Sequence, residues 1–158
     1  MPYTRYQPWQ WEDPKPVATK AVPTANVIQV GDLVSQIAGD VNAASGYTWT
    51  TDLPTTQTNF HDQFLGVALE RSRAGDVLPI RVASAGVHEF DCASATFELG
   101  DLVGPAKASG NNLENQKVAA VATIALAIGR VAQRAVTATR VKVSVTSGVM
   151  FGGPVVMG

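Results

Sequence analysis

The only cysteine of the chain, Cys92, and one of its two histidines, His88, stand in the run VHEFDC at 87–92, beside Glu89 and Asp91. Thiol, imidazole and carboxylate are the residue types of cysteine-dependent acyl transfer. At strand spacing the four divide, with His88 and Cys92 on one face and Glu89 and Asp91 on the other. A thiolate also needs an electropositive surround, whereas residues 82–106 hold four acids and no Lys or Arg. Cys92 therefore reads as a small buried thiol. His61 and Asp62 with His88 and Glu89 are too thin a set for a metal, which takes three or four converging ligands. One cysteine also excludes a disulfide framework and the four-ligand zinc sites built on cysteines. No nucleophile elbow, phosphate loop or dinucleotide fingerprint accompanies a strand–helix unit. The stretch Phe151, Gly152, Gly153, Pro154 reads as a flexible terminus. The expectation is a protein with no catalytic residue, no metal and no cofactor, and not an enzyme.

The elements around these residues are β in character. Val outnumbers Leu 21 to 9, Thr occurs 14 times and 14 glycines punctuate short runs, the composition of an all-β domain. At 158 residues one domain is expected. The net charge of −1 argues against a dedicated nucleic-acid binder. No apolar run is long enough to span a membrane, and no signal-peptide core is visible. Only 16% of residues are charged, against about 25% for an ordinary soluble domain. Such a surface is expected in a subunit that lives in an assembly.

Three segments follow from punctuation. Residues 1–25 hold five of the nine prolines and four of the eleven aromatics, so they read as an extended arm. Its rings, Tyr3, Tyr6, Trp9 and Trp11, either dock on another molecule or fold back to cap a barrel end of the same domain. Residues 26–151 read as short strands. Two are expected in 26–39, broken at Gly31-Asp32, and a half-solvated one in 47–51, with a polar loop at 52–62. A strand, a turn at Ala74-Gly75-Asp76, a strand, a turn at Gly86 and a further strand fill 64–92. A strand and then a loop occupy 99–112, and two strands around a bend fill 117–136. The cleanest strand is 140–151, where Val141, Val143 and Val145 face one way and Arg140, Lys142, Ser144 and Thr146 the other. Residues 152–158 read as a flexible tail.

A weak repeat runs through these strands. Gly31-Asp32-Leu33-Val34 returns 69 residues later as Gly100-Asp101-Leu102-Val103, and LGVALERS at 65–72 returns 63 residues later as IGRVAQRA. Each copy continues into an alternating strand ending in Gly, at 78–86 and 140–148. Two such units are expected to pair and close one small barrel. Charge is segregated as well. Residues 21–70 carry five acids and no base, and 115–158 five bases and no acid. That asymmetry either matches neighbouring subunits or pairs within one fold.

The same residues carry a family resemblance. The GDLV turns at 31–34 and 100–103, GVALE at 66–70, AGD at 74–76 and the alternating strand at 80–87 resemble the bacteriophage capsid cement, or head decoration, proteins across roughly 26–149. The resemblance implies an all-β fold, a small β-barrel or β-tulip-like domain with an extended N-terminal arm. It implies binding to the major capsid protein on the outer surface of an expanded tailed-phage head. It also implies self-association, as a trimer rather than a dimer, assembly in the bacterial host cytoplasm, and no catalytic residue. The arm is not part of the family pattern. Its chemistry suggests that Tyr3, Tyr6, Trp9 and Trp11 contact capsid or a neighbouring subunit. The alternative is a small β-barrel binding module for carbohydrate or single-stranded nucleic acid, for which Arg5 and the arm aromatics could stack bases, although the dense basic groove that supplies affinity is missing. A hydrolase using His88 is the third reading.

Overall fold

Two Gly-Asp turns set the registers of this molecule, whose computed structural model describes residues 27–155. In the first, Gly31 takes φ +95° and the N–H of Gln29 donates to Asp32 Oδ2 at 2.8 Å. In the second, Gly100 takes φ +90° and the N–H of Glu98 donates to Asp101 Oδ2 at 2.8 Å. A left-handed residue followed by an aspartate that accepts three residues back is a self-contained turn, which is why the GD pair recurs. The turn of residues 73–76 is a third copy, with Arg73 N–H donating to Asp76 Oδ2 at 3.2 Å.

The strands follow from these turns. In chain order they are β1 (Leu33–Ile37), β2 (Asp40–Ala43), β3 (Phe64–Ala68), β4 (Val82–Ala83), β5 (Ala85–Phe97), β6 (Leu102–Lys107), β7 (Leu113–Ala120), β8 (Gly129–Val131) and β9 (Ala135–Thr146). Helix α1 (Leu53–Gln63) precedes β3, and α2 (Gly148–Phe151) follows β9. The first four strands form an open sheet in the order β2-β1-β3-β4, and the other five close a barrel in the order β5-β7-β6-β8-β9.

The repeat is therefore structural. Four strands of the barrel, β7-β6-β8-β9, reproduce the order β2-β1-β3-β4 of the open sheet. Val34 lies opposite Gly66 in β1/β3, and Val103 opposite Gly129 in β6/β8. Main-chain bonds repeat as well. Gly31 N–H donates to Ala68 O and Gly100 N–H to Val131 O, both at 2.8 Å. The expectation of one barrel closed by both units is corrected here. Among the described residues each unit makes its own sheet, and only the second is closed, because β5 pairs with β9 on one side and β7 on the other.

Other local expectations are corrected by hydrogen bonds that the pattern of apolar residues does not carry. The polar loop expected at 52–62 is helix α1. Asp52 accepts the N–H of Thr55 at 2.8 Å, and Pro54 stands in the first turn where no helical N–H is needed. The helix buries Thr56, Gln57 and Phe60. The strand expected at 47–51 is instead a non-strand segment tied to that helix, with Thr50 N–H donating to Thr56 Oγ1 at 3.0 Å. Gly86 makes no turn; it sits inside β5 at φ +113°, opposite Val145. The last strand ends at Thr146 rather than running to 151. Ser147 Oγ accepts the N–H of Met150 at 3.1 Å and donates to Phe64 O at 2.9 Å, which starts α2. Beyond it Gly153 and Pro154 are buried, and Arg130 Nη2 donates to Val155 O at 2.9 Å, so the chain from 152 to 155 is held to the body.

Elsewhere the alternation holds. Val141, Val143 and Val145 are 0–2% exposed, while Arg140, Lys142 and Ser144 face solvent. The segment 117–136 forms strands around a bend, as β7, a 3-10 turn at Ile124–Leu126, and β8. The main core joins the barrel interior (Phe90, Phe97, Leu113, Ile128) to Phe60 of α1 and Phe64 of β3. Tyr47 meets Phe60 edge to face at 5.3 Å.

Candidate functional site

The cysteine–histidine pair lies where strand alternation puts it. His88, Phe90 and Cys92 turn toward the inner side of β5, and Glu89 and Asp91 are exposed. Four residues of strand separate His88 from Cys92 by about 13 Å, too far for proton transfer. Cys92 Sγ donates to Ala138 O at 3.4 Å. Burial, and next the charge of Asp91, push its thiol above the usual value, with Lys117 opposing. His88 Nε2 is buried and has no partner among the described residues. Burial pulls its imidazole below its ordinary value, against a backbone hydrogen bond at Ala85. On the outer side Arg140 sits 3.9 Å from Glu89 and 3.5 Å from Asp91, so both carboxylates belong to an exposed cross-strand ladder.

His61 has a structural partner. Its Nδ1 lies 2.6 Å from Ala127 O, which fixes the proton on Nδ1 because the carbonyl can only accept. A Cβ at Gly148 would collide with the carbonyl of His61, and one at Gly153 with its ring. His61 thus joins α1, α2 and the 3-10 turn. Among the described residues no three His, Cys, Asp or Glu side chains converge on a point that could hold a metal.

A concave feature with convergent polar groups lies against α1. An open cavity of about 380 Å³ is lined by Tyr47, Thr48, Thr50, Asn59, Asp62 and Gln63, with Ile37 at one wall. Tyr47 Oη donates to Gln63 Oε1 at 2.6 Å and Asn59 Nδ2 to Thr50 Oγ1 at 3.1 Å. Burial, and then Asp62, raise the Tyr47 phenol above its ordinary value, so it stays a neutral donor. The lining can hydrogen-bond a hydroxylated ligand. Among the described residues its lining holds no Ser, Cys, His or Lys, and Asp62 is its one carboxylate. Trp49 is taken up by Lys107, whose Nζ stands 5.4 Å from the ring centroid.

Two surface features complete the inventory. Val149, Met150, Phe151 and Val155 are 41–72% exposed, an apolar stretch at the end of the barrel's last strand. Charge segregation is resolved locally. Glu70 pairs with Arg81 at 3.5 Å and Glu98 with Arg134 at 2.7 Å, and no ion pair among the described residues joins the acid-only stretch to the base-only one. The arm residues Tyr3, Tyr6, Trp9 and Trp11 lie outside the described residues. Sequence reasoning missed the cavity because it missed α1. The signal was present as Asp52 followed by Pro54, a helix start.

No protein-family model matches the chain, and no curated protein matches it.

Proposed function

We propose that the protein is a structural cement, or decoration, protein that binds the outer surface of an expanded tailed-phage head and stabilises it. The observation that supports this reading is the thrice-built Gly-Asp turn. The elements that carry the resemblance, at Gly31-Asp32, Gly75-Asp76 and Gly100-Asp101, share one hydrogen-bonding scheme within this chain. The low charge and the exposed apolar residues of α2 suit a subunit with contact surface to bury. The mechanism is mass action: a protein that binds only the expanded shell lowers the free energy of that state. Tyr3, Tyr6, Trp9 and Trp11 act as the anchors on the major capsid protein or a sister subunit, with the assembly a homotrimer. Deleting residues 2–16 tests the anchoring. Shell occupancy and shell thermal stability should fall; unchanged values would rule it out.

The cavity at Tyr47 and Asn59 favours a second reading, a small β-barrel module that binds carbohydrate. Asn59→Ala separates the two. It should leave shell binding intact on the first reading and abolish glycan binding on the second.

A further inference from the structure

The cavity against α1 takes three of its groups from one helix face. Asn59, Asp62 and Gln63 stand at positions i, i+3 and i+4 of α1, a spacing that puts them side by side. The segment leading into the helix supplies Tyr47, Thr48 and Thr50, and Ile37 of β1 is the one aliphatic residue among the described lining. The helix is fixed from within. Gln57 and Phe60 are buried beneath it, and Tyr47 packs on Phe60 edge to face at 5.3 Å. The polar groups of the cavity therefore project from a rigid base.

Those groups are neutral except for one. Asn59 Nδ2 is spent on Thr50 Oγ1 at 3.1 Å, and Gln63 Oε1 accepts from Tyr47 Oη at 2.6 Å. Asn59 Oδ1, the Thr48 and Thr50 hydroxyls and Gln63 Nε2 are left for a ligand, a set that suits sugar hydroxyls. The single charge is Asp62, whose side chain is 72% exposed and whose Oδ1 lies 4.0 Å from His61 Nε2. The proton of His61 is on Nδ1, toward Ala127 O, so Nε2 presents a lone pair. Two acceptors thus face each other. Among the described residues no Lys or Arg pairs with Asp62, and residues 21–70 contain neither. Lys107, which reaches this segment, stands over the Trp49 ring at 5.4 Å and is not among the lining residues. Asp40 reinforces the sign, because it lies directly opposite Ile37 in the β1/β2 pairing and so shares its sheet face.

We infer that this cavity binds an amino sugar with a free ammonium group, the ammonium on Asp62 and the ring hydroxyls on Asn59, Thr50 and Gln63. The inference rests on the carbohydrate reading of the cavity and is independent of capsid binding. The size agrees, since about 380 Å³ is that of a small-molecule site. A lysine side chain from a partner fits less well, because its methylene stem needs apolar wall and Ile37 is the one aliphatic lining residue. An acidic sugar would bring a second negative charge to Asp62 with no base in the lining to offset it. An N-acetylated sugar would cover the carboxylate without supplying a partner for it. Because Asp62 stands at the open side, the preference for the amine is modest and sensitive to salt.

The test titrates the full chain by calorimetry at low salt with a glucosamine oligomer and with its fully N-acetylated counterpart of equal length. The amine should bind about fivefold more tightly, and the advantage should vanish at about 1 M salt, where the screening length is about 3 Å. Asp62→Asn should bring the amine down to the affinity of the acetylated probe. Asp52→Asn removes a charge from the start of the same helix, outside the lining, and should keep the advantage intact. Asn59→Ala should weaken both probes. Binding of both probes with equal affinity would overturn the inference and leave the carbohydrate reading standing, whereas binding of neither would overturn both. Equal loss in the Asp52 and Asp62 variants would also overturn the inference, because the amine would then be drawn to the acidic surface at large.

Discussion

Gly66 and Gly129 are the same residue of a duplicated hairpin. Each lies opposite the valine of a Gly-Asp-Leu-Val segment, and each is pressed against the carbonyl of the next strand, Ala83 for the first and Ser144 for the second, where a Cβ would stand. The close approach lets the third strand of each unit bend between its neighbours, and Gly66 takes φ +153° to do so.

Alanine at either position is expected to destabilise by at least about 2 kcal/mol, through overpacking and, at Gly66, backbone strain. Gly46→Ala is the control, because nothing lies within 4 Å of its Cβ position. It should be neutral or stabilising by up to about 1 kcal/mol. Denaturant midpoints of the three variants check this, and equal midpoints would refute it.

The two Gly-Asp turns should differ in weight. Asp32 is 2% exposed and accepts from both Gln29 N–H and Gln116 Nε2, each at 2.8 Å. Asp32→Ala leaves a backbone donor without its partner and should cost about 1–3 kcal/mol. The exposed Asp101 accepts from Glu98 N–H, and its alanine variant should cost about 0.5–1 kcal/mol. Thermal melts of both variants give the comparison.

Burial lowers the His88 pKa from its ordinary 6.5, so the unfolded chain takes up a proton at a higher pH than the folded one. Stability from this group is present above pH 6.5 and is lost as pH falls from there toward the depressed folded value. His88→Gln should flatten the fall in urea midpoint between about pH 6.5 and 5. A variant that tracks the parent protein across that range would contradict the assignment.

Cys92 behaves in the opposite sense. Its thiol is raised from 9.0, chiefly by burial, so the folded state holds its proton longer. Stability from this group is present below pH 9 and is lost as pH rises through the folded value. At pH 8 alkylation of the native protein should be at least about tenfold slower than of the unfolded chain. Equal rates would mean an exposed thiolate and would reopen nucleophilic chemistry at this residue.

Legibility in the sequence followed the physics of each element. Val141, Val143 and Val145 alternate with charged and hydroxylated residues, so the period of two exposed β9 and its inner face. The Gly-Asp pairs carry their own hydrogen bonds and were readable without tertiary context. Helix α1 was not, because its Thr-rich sequence lacks a broad apolar stripe and is held by Asp52, by Phe60 and by Gln57, whose Nε2 donates to Pro105 O at 2.9 Å. A closed barrel was expected, but which strands close it was hidden for a similar reason. The pairing of β5 with β7 is parallel and long-range, and no local pattern encodes such a contact. The cavity beside Asn59 inherited that blind spot.

The central claim is a capsid partner, and cosedimentation tests it most directly. Purified protein is mixed with expanded and with unexpanded tailed-phage heads, and the bound amount and the shell melting temperature are measured at low and high salt. The account expects saturable binding to expanded heads only, a raised shell melting temperature, and little loss of either at high salt. Absence of binding to expanded heads, or binding that collapses steeply with salt as phosphate contacts do, would contradict it.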